Sequence, residues 1–354
     1  MLIENIKIKN FRNIRELSIC FDEKMNVISG ENAQGKTNII EALWLFCGAK
    51  SFRGAKDSSF VRFGEKKGVT EIDFFSGGIE HSAKMIFEEK RKAELDGKNL
   101  KTTGDLAGVL SAVVFSPLDI SLASGGPDKR RRFLDTSIGQ LYPKYIELLR
   151  NYMRAVMQRN KIIKEYKYDP SVSIMLDVFE SEIAENGGRI IDYRKKFTEK
   201  LNNYLPEIFS GLSSGKEKIS SLYVANCEGT MLSAKLKEKR REDSFLGFTS
   251  VGPHRDDIDF LINGVSARNY GSQGQKRSVA ISLKLSALSV IYEISGEYPV
   301  CLLDDVMSEL DENRQKYILN HVREWQTFIT CCDPSNAQRL SGGKVFTVRD
   351  GGIF

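Results

Sequence analysis

The chain has 354 residues, with 52 Lys/Arg against 47 Asp/Glu and a formal net charge of +5. Its 41% hydrophobic and 10% aromatic content excludes wholesale disorder, and at roughly 150 residues per domain two or three domains are expected. No uninterrupted apolar run approaches the ~20 residues needed to span a bilayer, which points away from a membrane partner.

The surplus charge is local. Between Lys129 and Pro170 stand eleven Lys/Arg and four Asp/Glu, a local +7, and the remaining 41 basic and 43 acidic residues come to −2. A basic segment in a near-neutral body invites a polyanion partner. The N-terminus alternates charged and apolar residues and lacks the apolar block of a signal peptide. The six cysteines form no Cys-x-x-Cys pair, and Cys20, Cys47 and Cys301 lie in apolar runs, so buried reduced thiols in a cytoplasmic protein are expected. The three histidines show no metal-ligand spacing.

In chain order, Ile3, Ile6 and Ile8, then Leu17, Ile19 and Phe21, alternate with polar positions as strands do. Asn26–Ser29 reads as a strand running into Gly30, followed by a helix to about Phe46 that Gly48 ends. Strands with turns at Gly77-Gly78 and Asp96-Gly97 fill residues 69–100, and Ala112–Phe115 is a short strand stopped by Pro117. From Leu134 apolar residues recur near every 3.5 positions, through Ile138, Leu141, Tyr145, Leu148 and Tyr152. A second series runs from Val172 to Leu201. This spacing predicts two helices packed lengthwise, the first divided at Pro143, with a turn at Asp169-Pro170 and a break in the second at Gly187-Gly188. Residues 206–245 are expected to extend this helical arm. Strand texture returns near Phe248 with a hairpin at Asn263-Gly264, then a helix over Gln275–Ile291, a buried strand Val300–Leu303, a helix Glu312–Trp325 and a buried strand Phe328–Cys331. The predicted order is α/β, helical insertion, α/β: residues 1–127 and 246–354 forming one head and 128–245 an inserted arm.

Gly30-Glu-Asn-Ala-Gln-Gly35-Lys36-Thr37 fits G-x-x-x-x-G-K-[ST]. Glycines let such a loop curl so that backbone N–H groups point at phosphate oxygens, and the following helix presents its positive end to them. Lys36 would reach the β- and γ-phosphates of ATP, and the Thr37 hydroxyl would ligate Mg²⁺. Val300–Leu303 ends in Asp304-Asp305; Asp304 would hold Mg²⁺ and Asp305 would orient and deprotonate the attacking water. Ser272-Gln273-Gly274-Gln275, at the start of a helix, forms a second anion site. One chain has already built its phosphate cradle, so this second one would close over a nucleotide held by another copy.

These residues carry a resemblance. The chain resembles the ATP-binding cassette ATPases of the chromosome-maintenance and DNA-repair type, and within them the RecF family. The match spreads over Asn10-Phe-Arg-Asn13, the phosphate loop, Ser51-Phe-Arg53, Phe115–Asp119, Gly125–Asp135, Gln158-Arg-Asn160, Gly252–Asp257, Ser272–Arg277 and Leu303–Asp311. The resemblance implies an α/β cassette-type P-loop ATPase head with an inserted, mainly helical arm (lobe II). It implies nucleotide contacts from Arg12, Asn13 and Gly30 through Asn38 (Glu31, Asn32, Ala33 and Gln34 included), a signature Ser272–Gln275 acting across a head-to-tail ATP dimer, and a dimer loop containing Ser308 and Asp311. It further implies slow ATP hydrolysis as a switch, binding to DNA at single-strand/duplex junctions, RecR and RecO-like mediator partners, recombinase loading, and a place in DNA replication, DNA damage repair and the SOS response.

Three departures stand out. Cassette ATPases usually follow the Mg²⁺-binding Asp with Glu, where this chain has the shorter Asp305. Ser116-Pro-Leu-Asp119 offers no clear counterpart of the glutamine that follows the first lobe, and the switch histidine is missing, with Thr330 and Asp333 the nearest polar residues. For DNA contact, Lys129, Arg130, Arg131, Arg132, Arg150, Arg154 and Arg159 are the candidates on the arm, and Lys235–Arg241 is a second stretch diluted by acids. The alternatives are a transporter's nucleotide-binding subunit, opposed by the long basic arm, and a non-catalytic ATP-bound scaffold, opposed by the intact acidic pair.

Overall fold

In chain order, the computed structural model contains β1 (Leu2–Phe11), β2 (Ile14–Cys20), β3 (Met25–Ser29), α1 (Lys36–Leu45), β4 (Gly68–Ser76), β5 (Ile79–Phe87), β6 (Lys92–Leu95), β7 (Lys98–Asn99) and β8 (Ala112–Phe115). Then come α2 (Ile120–Ser124), α3 (Pro127–Leu141), α4 (Pro143–Tyr166), α5 (Ser173–Leu212), β9 (Ile219–Val224), α6 (Leu232–Glu238) and α7 (Arg240–Leu246). The chain closes with β10 (Asp257–Ile262), β11 (Val265–Ser266), α8 (Ala267–Tyr270), α9 (Gln273–Ser295), β12 (Val300–Leu303), α10 (Glu312–His321), β13 (Thr327–Cys331), β14 (Lys344–Arg349) and β15 (Gly352–Ile353). The structure describes residues 1–48, 50–213, 215–332 and 343–353.

Two six-stranded sheets carry the α/β part. One is antiparallel in the order β2-β1-β4-β5-β6-β7, and the other runs β15-β14-β3-β13-β12-β8, parallel except for β15. The apolar runs of β8, β12 and β13 are buried at every residue, as strands covered on both faces must be. Strand alternation divides them between two cores. Ala112 and Val114 face α1 and the antiparallel sheet, whereas Val113 and Phe115 face α9 and the arm helices. Among the described residues, α9 alone is long and apolar enough to cross a bilayer, and 72% of its apolar window is buried inside the fold.

In the arm, Pro143 begins α4 directly after α3 ends, in the first helical turn, where a proline gives up no intrahelical hydrogen bond. Three sequence expectations fail, two of them in this arm. First, α5 runs unbroken for 40 residues through Gly187-Gly188. These glycines serve close packing instead of a break: a Cβ on Gly187 would lie 2.6 Å from Leu232 and 3.1 Å from Tyr152. Second, residues 206–245 are not all helix. Ile219–Val224 is a strand that pairs antiparallel with β10, with Ile258 opposite Tyr223. Third, Cys20 is exposed, because the alternation of β2 turns it outward, whereas Cys47 and Cys301 are buried.

The basic residues of the arm divide by face, and this overturns part of the expected DNA surface. Arg159 is 0% exposed: it donates to Glu180 (3.0 Å), Asp243 (2.6 Å), Thr249 (3.0 Å) and the Leu236 carbonyl (3.0 Å). Arg130 is 2% exposed and forks onto Asp257 at 2.6 and 2.9 Å. A guanidinium cannot be left in a dry core without acceptors, so both are spent internally and neither is available to a phosphate. Arg131 is half-buried and bonds the Asp256 carbonyl, and Arg132 bonds the Ser51 carbonyl. Lys129, Arg150 and Arg154 remain exposed.

The segment Gly252–Asp257 receives two of these side chains, Arg130 at Asp257 and Arg131 at the Asp256 carbonyl. Arg194, also 2% exposed, bonds Asp135 (2.8 Å) and the Pro253 carbonyl (2.7 Å). Tyr223 and the Asn226 N–H both donate to Asp256. Gly252 sits at φ 128°, and a Cβ there would come 2.4 Å from the Tyr152 hydroxyl. His254 joins Tyr152 (2.5 Å at Nδ1) to the Thr249 carbonyl (2.9 Å at Nε2), a pairing that suits a neutral ring with its proton on Nε2.

Two measurements check this reading of the arm. Arg159→Ala leaves Glu180 and Asp243 buried with fewer partners and should cost about 3–5 kcal/mol in urea unfolding, whereas exposed Arg154→Ala should stay within about 0.5 kcal/mol. Burial pulls the His254 imidazole down to about 4, below its unfolded value of about 6.5. Between those values the unfolded chain binds a proton that the folded one refuses. Stability present above pH 6.5 is therefore lost as pH falls toward 4, at up to about 1.4 kcal/mol per pH unit. His254→Gln should flatten that part of the unfolding profile relative to the parent chain.

Candidate nucleotide site

The phosphate loop follows β3 and opens α1, and its backbone needs are met residue by residue. Gly30 (φ 153°), Ala33 (φ 66°) and Gly35 (φ 116°) turn the chain through regions that L side chains seldom occupy. A Cβ on Gly30 would stand 2.3 Å from the Val348 carbonyl oxygen, so β14 closes one side. Asn13 closes the other: its Nδ2 donates to the Ala33 carbonyl (3.2 Å), and its Oδ1 accepts from Asn38 (2.7 Å). Gln34 is held from the turn between β14 and β15, accepting from the N–H groups of Asp350 (2.5 Å) and Gly351 (3.1 Å). Lys36 folds over the loop, donating to the carbonyls of Gly30 (2.5 Å) and Glu31 (2.8 Å) and lying 3.5 Å from the Cys332 thiol. A phosphate would replace those carbonyls as its acceptor.

The acidic pair meets the loop where the parallel strands end. Thr37 Oγ1 donates to Asp304 Oδ1 at 2.9 Å, joining motifs 267 residues apart. Asp304 is 4% exposed, and burial pushes its carboxyl up, opposed by hydrogen bonds from Thr37 and Thr330. A divalent cation beside it would favour the charged form. Among the described residues no group of three or more His, Cys, Asp or Glu could hold a metal. The donors present, one hydroxyl and one carboxylate, suit Mg²⁺ in its usual company of phosphate oxygens and water. Asp305 is half-buried at φ 54°, the left-handed region, and its carbonyl and Oδ1 share the Ser308 hydroxyl at 3.0 and 3.1 Å.

Arg12 occupies the β1–β2 turn at φ 57°, but its guanidinium forks onto Glu41 at 2.8 and 3.1 Å. Glu41 is fully buried on α1 and also accepts from Ser51, with Arg53 4.0 Å away. Of the expected pair Arg12-Asn13, then, Asn13 touches the loop and Arg12 is tied to Glu41. The sequence reading passed over Glu41, although an acid inside the apolar run Ile39–Leu45 was a usable signal.

Ser272 caps α9, its hydroxyl accepting from Gln275 N–H (3.2 Å) while Gln275 Oε1 accepts from Ser272 N–H (2.7 Å). Ser272 and Gln273 are exposed, and the side-chain hydrogen bonds of Ser272 and Gln275 go to each other and to Glu217, none to the phosphate loop. Asp311 caps α10 through Arg314 N–H (3.0 Å). Of the two residues considered for the switch position, Thr330 bonds both acids, and Asp333 lies outside the described residues. The β13 end also carries Cys332, whose thiol lies 3.1 Å from Asn32 Oδ1 in the loop.

Known proteins share the sequence and the fold. The family model for the RecF/RecN/SMC N-terminal domain matches residues 2–348. The DNA replication and repair protein RecF of Lachnospira eligens is 37% identical over 359 residues, covering 100% of this chain and 99% of its own. That of Agathobacter rectalis is 39% identical over 357 residues with the same coverage. A solved structure of the recombination mediator protein RecF with ATP, from the RecFOR pathway, superposes with a TM-score of 0.93 at 36% identity and covers 100% of this chain and 97% of that one. The Smc head domain of Pyrococcus furiosus, at 16% identity and a TM-score of 0.58, covers 99% of this chain and 95% of its own and shares the fold.

Proposed function

Since the chain belongs to the RecF/RecN/SMC N-terminal-domain family, we propose that it is an ATP-dependent DNA-binding protein of recombinational repair and replication-fork maintenance, acting as RecF does in the RecFOR pathway. In this reading residues 1–127 and 246–354 form the ATPase head and 128–245 the arm. The observation that supports it most is the 2.9 Å bond between Thr37 and Asp304, which unites the phosphate loop and the acidic pair in one site. Lys36 and the loop N–H groups neutralise the triphosphate of ATP, and Thr37 with Asp304 hold Mg²⁺, which supplies charge neutralisation at the phosphates. Asp305 takes the proton of the attacking water. Its short side chain and left-handed backbone favour slow turnover, so ATP serves as a timer.

The exposed cap Ser272–Gln275, unattached to its own chain's loop, favours a head-to-tail homodimer with two ATPs in the seam. There the signature of one copy meets the γ-phosphate of the other, beside the loop of Ser308 and Asp311. ATP binding then joins the copies by mass action, and hydrolysis releases them. The dimer clamps DNA at single-strand/duplex junctions, works with RecR and RecO-like mediators, and promotes recombinase loading in the cytoplasm. Exposed Lys129, Arg150 and Arg154 are the arm residues placed to meet phosphates, in place of buried Arg130 and Arg159.

Sedimentation and nucleotide titration test the switch. Lys36→Ala should lose ATP binding, Ser272→Arg should keep it and remain monomeric, and Asp305→Asn should trap a long-lived ATP dimer. A parent chain that stays monomeric at every ATP concentration would refute the shared site. For DNA, gapped, single-stranded and duplex substrates should be titrated across a salt series. Neutralising Arg150 and Arg154 together should reduce the slope of log K against log salt by about 0.9 per lost phosphate contact, with ATP binding unchanged.

A further inference from the structure

We propose that Thr330 is a positioning residue for ATP hydrolysis, its hydroxyl holding Asp304 and Asp305 in register with each other; this rests on reading the site as an ATPase. Thr330 lies on β13 among Phe328, Ile329 and Cys331 and is 1% exposed. In so dry a strand a valine would fill the same space, so the hydroxyl must earn its burial through hydrogen bonds. It makes two. It donates to Asp304 Oδ1 at 3.0 Å and accepts from the N–H of Asp305 at 2.8 Å, which uses the single proton and one lone pair.

The two bonds act on different groups. Asp304 Oδ1 receives both Thr37 and Thr330, which orients the carboxylate and leaves Oδ2 without a hydrogen bond among the described residues. Asp305 is held at its backbone, where φ 54° is a conformation that a residue with a Cβ keeps only under constraint. Thr330 fixes its N–H and Ser308 its carbonyl and Oδ1. One hydroxyl thereby ties the carboxylate placed for a cation to the backbone of the carboxylate placed for water. Cys332, two residues further, contacts Lys36 and Asn32 and neither acid.

The test uses the full-length chain with Thr330→Val, Thr330→Ala and Thr330→Ser, following ATP binding by equilibrium titration of a fluorescent ATP analogue, hydrolysis by single turnover, and folding by thermal melting. Thr330→Val should bind the analogue within about threefold of the parent yet hydrolyse ATP about 100-fold more slowly, the scale of a displaced catalytic group. Thr330→Ser should restore the rate to within about threefold. If Thr330→Val does not fold, Thr330→Ala takes its place with the same expectations. Parent-like single turnover in a folded variant lacking the hydroxyl would overturn the inference alone. Loss of binding in step with rate, or a folded Thr330→Ser that fails to recover, would overturn it as well. A parent chain that binds ATP but never hydrolyses it would overturn the ATPase reading together with this one.

Discussion

A carboxylate at 4% exposure has to be surrounded by donors, and Asp304 is the point about which the head is arranged. Its two hydroxyl partners come from α1 and β13, so three separate stretches of sequence must end at one edge. Parallel pairing achieves this. Ser29 lies opposite Cys331, and Leu303 opposite both Ile329 and Phe115, so β3 and β13 stop at one level, β12 and β8 stop two residues short of it, and the residues that follow share one rim. The phosphate loop is thus seated against the acids by sheet register, with the antiparallel sheet covering α1 from behind. The left-handed residues Ala33 and Asp305 lie at this rim, where strain is maintained because neighbouring bonds over-determine it.

The arm follows a different rule. Its packing is apolar along α4 and α5, but its relation to β10 and the Gly252–Asp257 segment is set by buried Arg130 and Arg194, while buried Arg159 ties α4 to α5, α6 and α7. Such networks add little net stability over well-packed apolar residues, yet they tolerate few alternative geometries. The arm is therefore fastened in one orientation at its base, while the lysines and arginines on its outer face are solvated. Positive charge in this segment does two jobs, and burial separates them.

Much of this was legible in the chain itself. The phosphate loop, the acidic pair and the hairpins at Gly77-Gly78, Asp96-Gly97 and Asn263-Gly264 could be read because each depends on residues within a few positions of one another. Arg130 and Arg159 could not. Their carboxylates lie 127 residues away in Asp257 and 84 in Asp243, and an arginine destined for such a partner has the same helical spacing as one facing solvent. Gly187-Gly188 was misleading for a related reason. A glycine pair inside a helical pattern signals a break unless another element approaches closely, and here Leu232 and Gly229 do. Thr330 stood out as polar in an apolar strand, but its partners became visible only once β12 and β13 were side by side.

The contact between the phosphate loop and the β14–β15 turn bears on how the protein is made. Gly30 is closed by Val348, and Gln34 is held by Asp350 and Gly351, more than 300 residues later. A ribosome that has produced the loop and α1 has therefore not yet produced the strand that walls them. Nucleotide cannot be gripped in its final geometry until β14 has emerged and paired with β3. The loop gains this wall only after β14 has been made, and a chain cut short before β14 would carry the whole phosphate-loop motif without it.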